Sequence, residues 1–238
     1  MEKRTQAQDL QKQQAEIQGE PIIINNRYTV FGPVESYKKL RTNLLYTENL
    51  NVIAVTSTIP DEGKTVTAFN LACSFAEMGK KVVLVDCDMR KSSLRGFLMI
   101  KDHYKGLSEA LTRQSSQCVK ATNIENLYLV LSGKKPPNPT EILLSKSFDK
   151  LLEDLSKEFD YVILDTPPVT VASDAAVIGR KVQGVVLVVR NEFASKKAIK
   201  RAQYELENNG SRIVGVVLNR VKKNQVDYSD YGYDKYYY

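Results

Sequence analysis

The sequence has 238 residues, 42% of them hydrophobic and 26% charged, with a formal charge of +6; this is an average soluble globular profile, too weakly basic to assign a nucleic-acid partner. No apolar run approaches the roughly 18 residues of a membrane-spanning helix, and residues 1–20 lack the apolar stretch of a secretory signal. Cys73, Cys87, Cys118 and the lone His103 form neither a disulfide framework nor a zinc-ligand pattern, so a reducing cytoplasm is the expected compartment.

Residues 1–20 are polar and Gln-rich and read as a mobile arm, or as a short helix that depends on a neighbour. Glu35, Lys38 and Arg41 follow at spacings of three, within one broad helix face. Continuous aliphatic runs at 51–57, 81–85, 126–131, 161–164, 185–189 and 213–218 predict strands covered on both faces. Between them, Ala68, Leu71, Ala72, Phe75 and Ala76 predict a helix that starts after Gly63 and is ended by Gly79. Further helices are predicted over 140–158 and 195–210. The second carries Lys196, Lys197, Lys200 and Arg201, which read first as a solvated face and second as a contact for anionic lipid or an acidic partner. The alternation predicts an α/β fold, a mostly parallel central sheet flanked by helices. One domain over 21–226 is expected, between the polar arm 1–20 and a tail at 227–238.

That tail is the compositional oddity. The chain has no Trp and 13 Tyr, and Tyr228, Tyr231, Tyr233, Tyr236, Tyr237 and Tyr238 all lie in its last eleven residues. A core does not need six tyrosines there. The segment is polar, with Asp interspersed, and should be reachable by an enzyme.

Three segments carry phosphate chemistry. The first strand runs into Ser57-Thr58-Ile59-Pro60-Asp61-Glu62-Gly63-Lys64-Thr65 and then a helix. In a strand–loop–helix of this kind, backbone N–H groups and the helix N-terminus point at an anion. Lys64 can reach the β- and γ-phosphates, and the Thr65 hydroxyl can ligate Mg²⁺. Thr58 stands where the pattern G-x-x-x-x-G-K-S/T has its first glycine, which questions the left-handed turn there. The strand at 81–85 ends in Asp86-Cys87-Asp88-Met89-Arg90, and alternation sets both carboxylates on one face with Cys87 packed behind. The third run ends in Asp165-Thr166-Pro167-Pro168, an acid placed to hold Mg²⁺ or, alternatively, to cap a helix. All three sit at strand C-terminal ends, where open α/β sheets bind ligands.

With these residues in view, the chain resembles the bacterial tyrosine kinases of capsule and exopolysaccharide synthesis, in their separate cytoplasmic Gram-positive form. The deviant phosphate loop, Asp86-x-Asp88-x-Arg90, Asp165 and the tyrosine tail occur in the family's order, over roughly residues 35–238. The segment Gly133-Lys134-Lys135-Pro136-Pro137-Asn138-Pro139-Thr140-Glu141 is also family-like. The resemblance implies a MinD/ParA-like P-loop fold and transfer of phosphate from Mg·ATP to tail tyrosines in trans. It implies a cofactor site of Thr58, Asp61, Glu62, Gly63, Lys64, Thr65, Val66 and Asn219, the last an adenine contact. Metal ligands would be Thr65, Asp86 and Asp165, and the catalytic groups Lys64, Asp86, Asp88 and Arg90. Asp88 is the candidate base, although Asp86 and Asp88 could exchange roles.

The family's E-x-x-R-x-x-R ring interface corresponds to Glu35, Lys38 and Arg41, with Lys at the middle position unable to reproduce an Arg fork. A transmembrane activator of polysaccharide co-polymerase type, a homo-oligomeric ring and a cognate tyrosine phosphatase are the implied partners. Recruitment to the inner face of the membrane would come through the activator. Phosphorylating six tyrosines would add a charge of about −9 to −12 and reverse the sign of the chain. The rival expectation is a MinD/ParA-like switch ATPase. Such proteins carry an early Lys in the loop where this chain has Ile59, and a membrane-targeting MinD ends in an amphipathic helix rather than in tyrosines.

Overall fold

The computed structural model describes residues 21–24, 34–101, 104–113 and 117–221. The expected arm at 1–20, His103 and all six tail tyrosines lie outside the described residues. In chain order the elements are α1 (Val34–Leu45), β1 (Val52–Ser57), α2 (Lys64–Ala76), β2 (Val82–Asp86), α3 (Leu94–Phe97), α4 (Leu107–Leu111), β3 (Lys120–Ala121) and β4 (Leu127–Val130). They continue as α5 (Pro139–Leu144), α6 (Lys146–Glu158), β5 (Tyr161–Asp165), α7 (Asp174–Lys181), β6 (Gly184–Arg190), α8 (Lys196–Asn208) and β7 (Ile213–Asn219).

The seven strands form one sheet in the order β3-β4-β2-β5-β1-β6-β7. All neighbours are parallel except the β3–β4 pair. The continuous aliphatic runs have the expected cause, because alternate side chains enter two separate cores. Val52 and Ala54 of β1 join Phe148, Leu152, Ile178 and Leu206 on one face, while Ile53 and Val55 join Phe69, Leu71 and Phe75 on the other. The sheet is thus sandwiched between α2 with α1 and the layer of α6, α7 and α8.

Three details depart from the sequence expectations. The single helix expected over 140–158 is two, because Ser145 adopts extended backbone (φ −67°, ψ 153°). Its Oγ then accepts from Phe148 N at 3.4 Å and caps α6. Strand β7 is an edge, so Val216 and Leu218 are 62% and 57% exposed rather than covered. An unexpected antiparallel edge strand, β3, has a bridge beside it between Ile22 and Thr122 that fixes residues 21–24. Ile22 and Ile24 are buried there and Ile23 is exposed, a period of two. No helix among the described residues is long and apolar enough to cross a membrane.

Candidate active site

Parallel pairing brings the C-terminal ends of β1, β2 and β5 together, and Asp86 lies directly opposite Asp165 in register. Between β1 and α2 the chain turns through two left-handed residues, Asp61 (φ 63°) and Gly63 (φ 95°). Thr58 is not left-handed, so the loop does not require a glycine at that place. It does at Gly63, where a Cβ would stand 2.1 Å from Asn219 Nδ2.

The loop is braced from behind. Glu62 is fully buried, and its carboxylate accepts from Ile59 N at 2.9 Å and from Arg190 N, at the end of β6, at 3.2 Å. Asn219 Nδ2, at the end of β7, donates to Glu62 O at 2.8 Å. Two residues expected to contact the cofactor therefore spend these groups on shaping the loop. Thr170 Oγ1 donates to Thr58 O at 2.7 Å, and Thr58 Oγ1 is buried without a partner among the described residues.

Lys64 Nζ lies 3.3 Å from Asp88 Oδ2 and 3.3 Å from Asp165 Oδ1. Burial opposes the charge of Lys64, but Asp165 and Asp88 outweigh it and hold the ammonium above the ordinary lysine range. Thr65 Oγ1 donates to Asp165 Oδ2 at 2.6 Å and meets Ser93 Oγ at 2.8 Å. Asp86 is fully buried, accepting from Ser92 Oγ and, at 3.1 Å, from Asp88 N. Burial, reinforced by Asp165, pushes its carboxyl up to about 7. Burial likewise raises Asp165, with Lys64 and Thr65 offsetting only part of the effect.

These groups surround a cavity of about 360 Å³ lined by Asp61, Gly63, Lys64, Thr65, Val66 and Asp88 among others. Asp86 and Asp165 stand behind that surface and Asp88 reaches it, which separates two acids that the sequence left interchangeable. No group of three or more His, Cys, Asp or Glu side chains among the described residues forms a metal-ligand cluster. The donor set nevertheless suits Mg²⁺, which takes one or two carboxylates and a hydroxyl and fills its remaining positions with phosphate and water. Thr65 Oγ1 and Asp165 are already adjacent, and a carboxyl raised by burial and by its neighbour's charge, as Asp86 is, is one that a cation would relieve.

Arg90 lines the same cavity, but its guanidinium turns to Asp174, with Nε to Oδ2 at 2.7 Å and Nη2 to Oδ1 at 3.0 Å. Its Nη2 also donates to Thr140 Oγ1 at 2.8 Å. Asp174, fully buried at the first residue of α7, was not singled out from the sequence. Its one signal was a helix-starting acid after Ser173. Of the expected interface group, Glu35 is exposed, whereas Arg41 Nη1 donates to Ser74 O at 2.5 Å and ties α1 to α2 within the chain. Lys196, Lys197, Lys200 and Arg201 are all exposed along α8. Cys87 packs in the core, and burial raises its thiol well above the ordinary range.

A parallel sheet with a Gly-Lys-Thr loop at its C-terminal edge, facing two strand-end acids, defines a P-loop nucleotide-binding domain. Residues 50–179 match the family described as AAA domain. The chain is 44% identical over 190 residues to "Tyrosine-protein kinase CpsD" of Streptococcus pneumoniae serotype 4, covering 79% of this chain and 84% of that protein. Among solved structures, the kinase domain of Escherichia coli tyrosine kinase ETK superposes with a TM-score of 0.73 at 31% identity, covering 79% of this chain and 77% of that one. The septum site-determining protein MinD of Pyrococcus horikoshii, solved with Mg-ADP, shares the fold at 22% identity with a TM-score of 0.63, over 76% of this chain and 75% of that one. The chain belongs to the bacterial tyrosine-protein kinase family, and it is an enzyme of that class built on a MinD-like P-loop domain.

Proposed function

We propose that the chain transfers the γ-phosphoryl group of Mg·ATP to the tyrosines of its own tail, Tyr228, Tyr231, Tyr233, Tyr236, Tyr237 and Tyr238, in trans between copies of a homo-oligomer. The observation that carries this reading is Lys64 Nζ, held 3.3 Å from both Asp88 and Asp165 at the floor of the cavity. On nucleotide binding, Lys64 exchanges these carboxylates for β- and γ-phosphate oxygens, and the loop N–H groups and the start of α2 bind the rest of the phosphate chain. Mg²⁺, when bound, would supply positive charge that offsets the charge developing on the phosphate oxygens. Thr65 and Asp165 would hold it, with Asp86 supporting from behind.

Asp88, freed from Lys64 and facing the cavity, accepts the proton of the incoming phenol. The phenolic oxygen bonds to the γ-phosphorus, the bridging oxygen–phosphorus bond breaks and ADP leaves. The Asp174 contact keeps Arg90 at the rim, from where its positive field reaches the transferring group.

Kinship with CpsD supports a role in regulating capsular or exopolysaccharide synthesis and export. In this reading the chain works in the cytoplasm, held at the membrane by a separate transmembrane activator of polysaccharide co-polymerase type. The activator's cytosolic tail binds near the nucleotide site, and a cognate tyrosine phosphatase reverses the modification.

Incubation with Mg·ATP and an activator fragment, followed by mass spectrometry, tests the proposal. Tail phosphotyrosine is expected, and Lys64→Met removes it. A Lys64→Met chain mixed with active enzyme still becomes modified if transfer runs in trans. ATP hydrolysis without tail modification, with a verified activator, overturns the reading in favour of a MinD-like switch ATPase.

A further inference from the structure

A second cavity, of about 620 Å³, adjoins the catalytic one and shares Ser92 with it. Its charged lining is three cations, Arg95, Lys105 and Lys134, against one carboxylate, Glu109. That carboxylate is buried and already engaged: it accepts from Gly106 N at 2.9 Å, Ser108 Oγ at 3.0 Å and Lys134 N at 3.1 Å. The wall it builds is close-packed. A Cβ at Gly106 would lie 2.1 Å from Leu131 O, and one at Gly133 (φ 78°) would lie 2.0 Å from Glu109 Oε2. Glu109 therefore fixes the backbone beside both Lys105 and Lys134. The two lysines are exposed, and neither forms an ion pair with a described residue. Arg95 is held by the carbonyls of Ile100 at 3.2 Å and Lys101 at 2.8 Å and adds its field to theirs.

An acidic substrate meets a difficulty at this enzyme. The catalytic cavity sets Asp61 and Asp88 against Lys64, Arg90, Lys91 and Arg220. Arg90 is held by Asp174, however, and in the proposed reaction Lys64 is taken up by the phosphates of the nucleotide. Yet the tail places Asp227 before Tyr228, Asp230 before Tyr231 and Asp234 after Tyr233. A carboxylate next to the acceptor is best placed against a cationic surface beside the reaction centre, and the cavity across Ser92 offers one.

We propose that this second cavity docks the acidic residues flanking the acceptor tyrosine, with the segment 227–234 of a neighbouring copy as its occupant and Lys105 and Lys134 as the residues that select it. The inference rests on the kinase reading above and adds to it a determinant of substrate choice. Charge complementarity then works through KM, since these lysines do not line the catalytic cavity.

The test uses a full chain whose own Asp227, Asp230 and Asp234 are changed to Asn, so that no resident acidic tail competes. Its substrates are synthetic peptides of residues 222–238, one native and one with the same three Asn substitutions. Lys105→Ala with Lys134→Ala is expected to raise KM for the native peptide about five- to tenfold, with kcat and KM for ATP unchanged. The Asn peptide should show the raised KM on both enzymes, and Lys→Arg at both positions should restore the native value. An unchanged KM for the native peptide, or an equal rise for both peptides, overturns the proposal. If no tyrosine peptide is phosphorylated at all, the kinase reading fails. Fluorescence anisotropy of the labelled native peptide then decides docking on its own: weaker binding to the alanine variant supports it, and equal binding overturns it.

Discussion

Arg90 and Asp174, 84 residues apart in sequence, meet as a two-pronged pair in which Arg90 Nε and Nη2 reach the two carboxylate oxygens at 2.7 and 3.0 Å. Thr140 Oγ1 closes the cluster, donating to Asp174 Oδ1 at 2.5 Å. The chain after β2 is thereby tied to the start of both α5 and α7. Removing the guanidinium leaves a fully buried carboxylate without its cation. Arg90→Met is expected to cost about 1–2 kcal/mol of unfolding free energy in a denaturant titration, less than for a fully buried pair because the guanidinium is 35% exposed. Arg90→Met with Asp174→Asn should recover part of that loss, because no buried charge remains. A drop in turnover with unchanged stability would place the role of Arg90 in the chemistry alone.

Lys64→Met should act twice. Turnover is expected to fall by at least about 10², since in the proposed reaction the ammonium is the charge that meets the phosphates. Without nucleotide the melting temperature also falls, because Asp88 and Asp165 lose the cation between them. Steady-state rates and thermal melts on the same preparations check both effects.

Asp86 gives a pH dependence with a definite sign. Its carboxyl is raised to about 7 in the folded chain from an ordinary value of 3.8. The folded state therefore binds the proton more tightly than the unfolded state does. Its contribution to stability is fully present below the unfolded value and is lost as pH rises to about 7. The metal-free protein should lose stability across that window, and Asp86→Asn should melt several degrees higher than the parent at pH 8. The gap should close as pH falls to 4, and Mg·ADP should narrow it at pH 8. Melting curves across the range, with and without the nucleotide, measure all three.

Glu62→Gln keeps the size of the side chain but offers one acceptor where two backbone donors, Ile59 N and Arg190 N, require two. One N–H is left facing an amide nitrogen, at about 1–3 kcal/mol. We expect KM for ATP to rise about tenfold, with a smaller effect on kcat, because the loop shape rather than a reacting group is disturbed. An unchanged KM in steady-state assays would remove Glu62 from the organisation of the site.

Much of this was open to reading in one dimension. Aliphatic runs continuous enough to be buried on both faces mark the six parallel strands, and the acids that end two of them mark the sheet edge that carries the Gly-Lys-Thr loop. Gly63-Lys64-Thr65, Asp86, Asp88 and Asp165 were singled out this way, since each depends on what lies next to it in the chain, and the structure brings them to one sheet edge. The break at Ser145 was missed although it left a trace: Ile142 lies about half a turn out of phase with Leu151 and Leu155, so no single apolar face runs through the whole segment.

What the sequence determined by itself was local: which segments form strands, where the phosphate loop begins and which acids stand at strand ends. Only the tertiary structure decided how those residues face one another. It turned the Glu62 carboxylate and the Asn219 amide onto the loop, gave Arg90 the partner Asp174, and brought Asp88 to the cavity while leaving Asp86 behind it. Parallel pairing places strand ends side by side whatever their distance in sequence, so partners as remote as Glu62 and Asn219 leave no spacing to read.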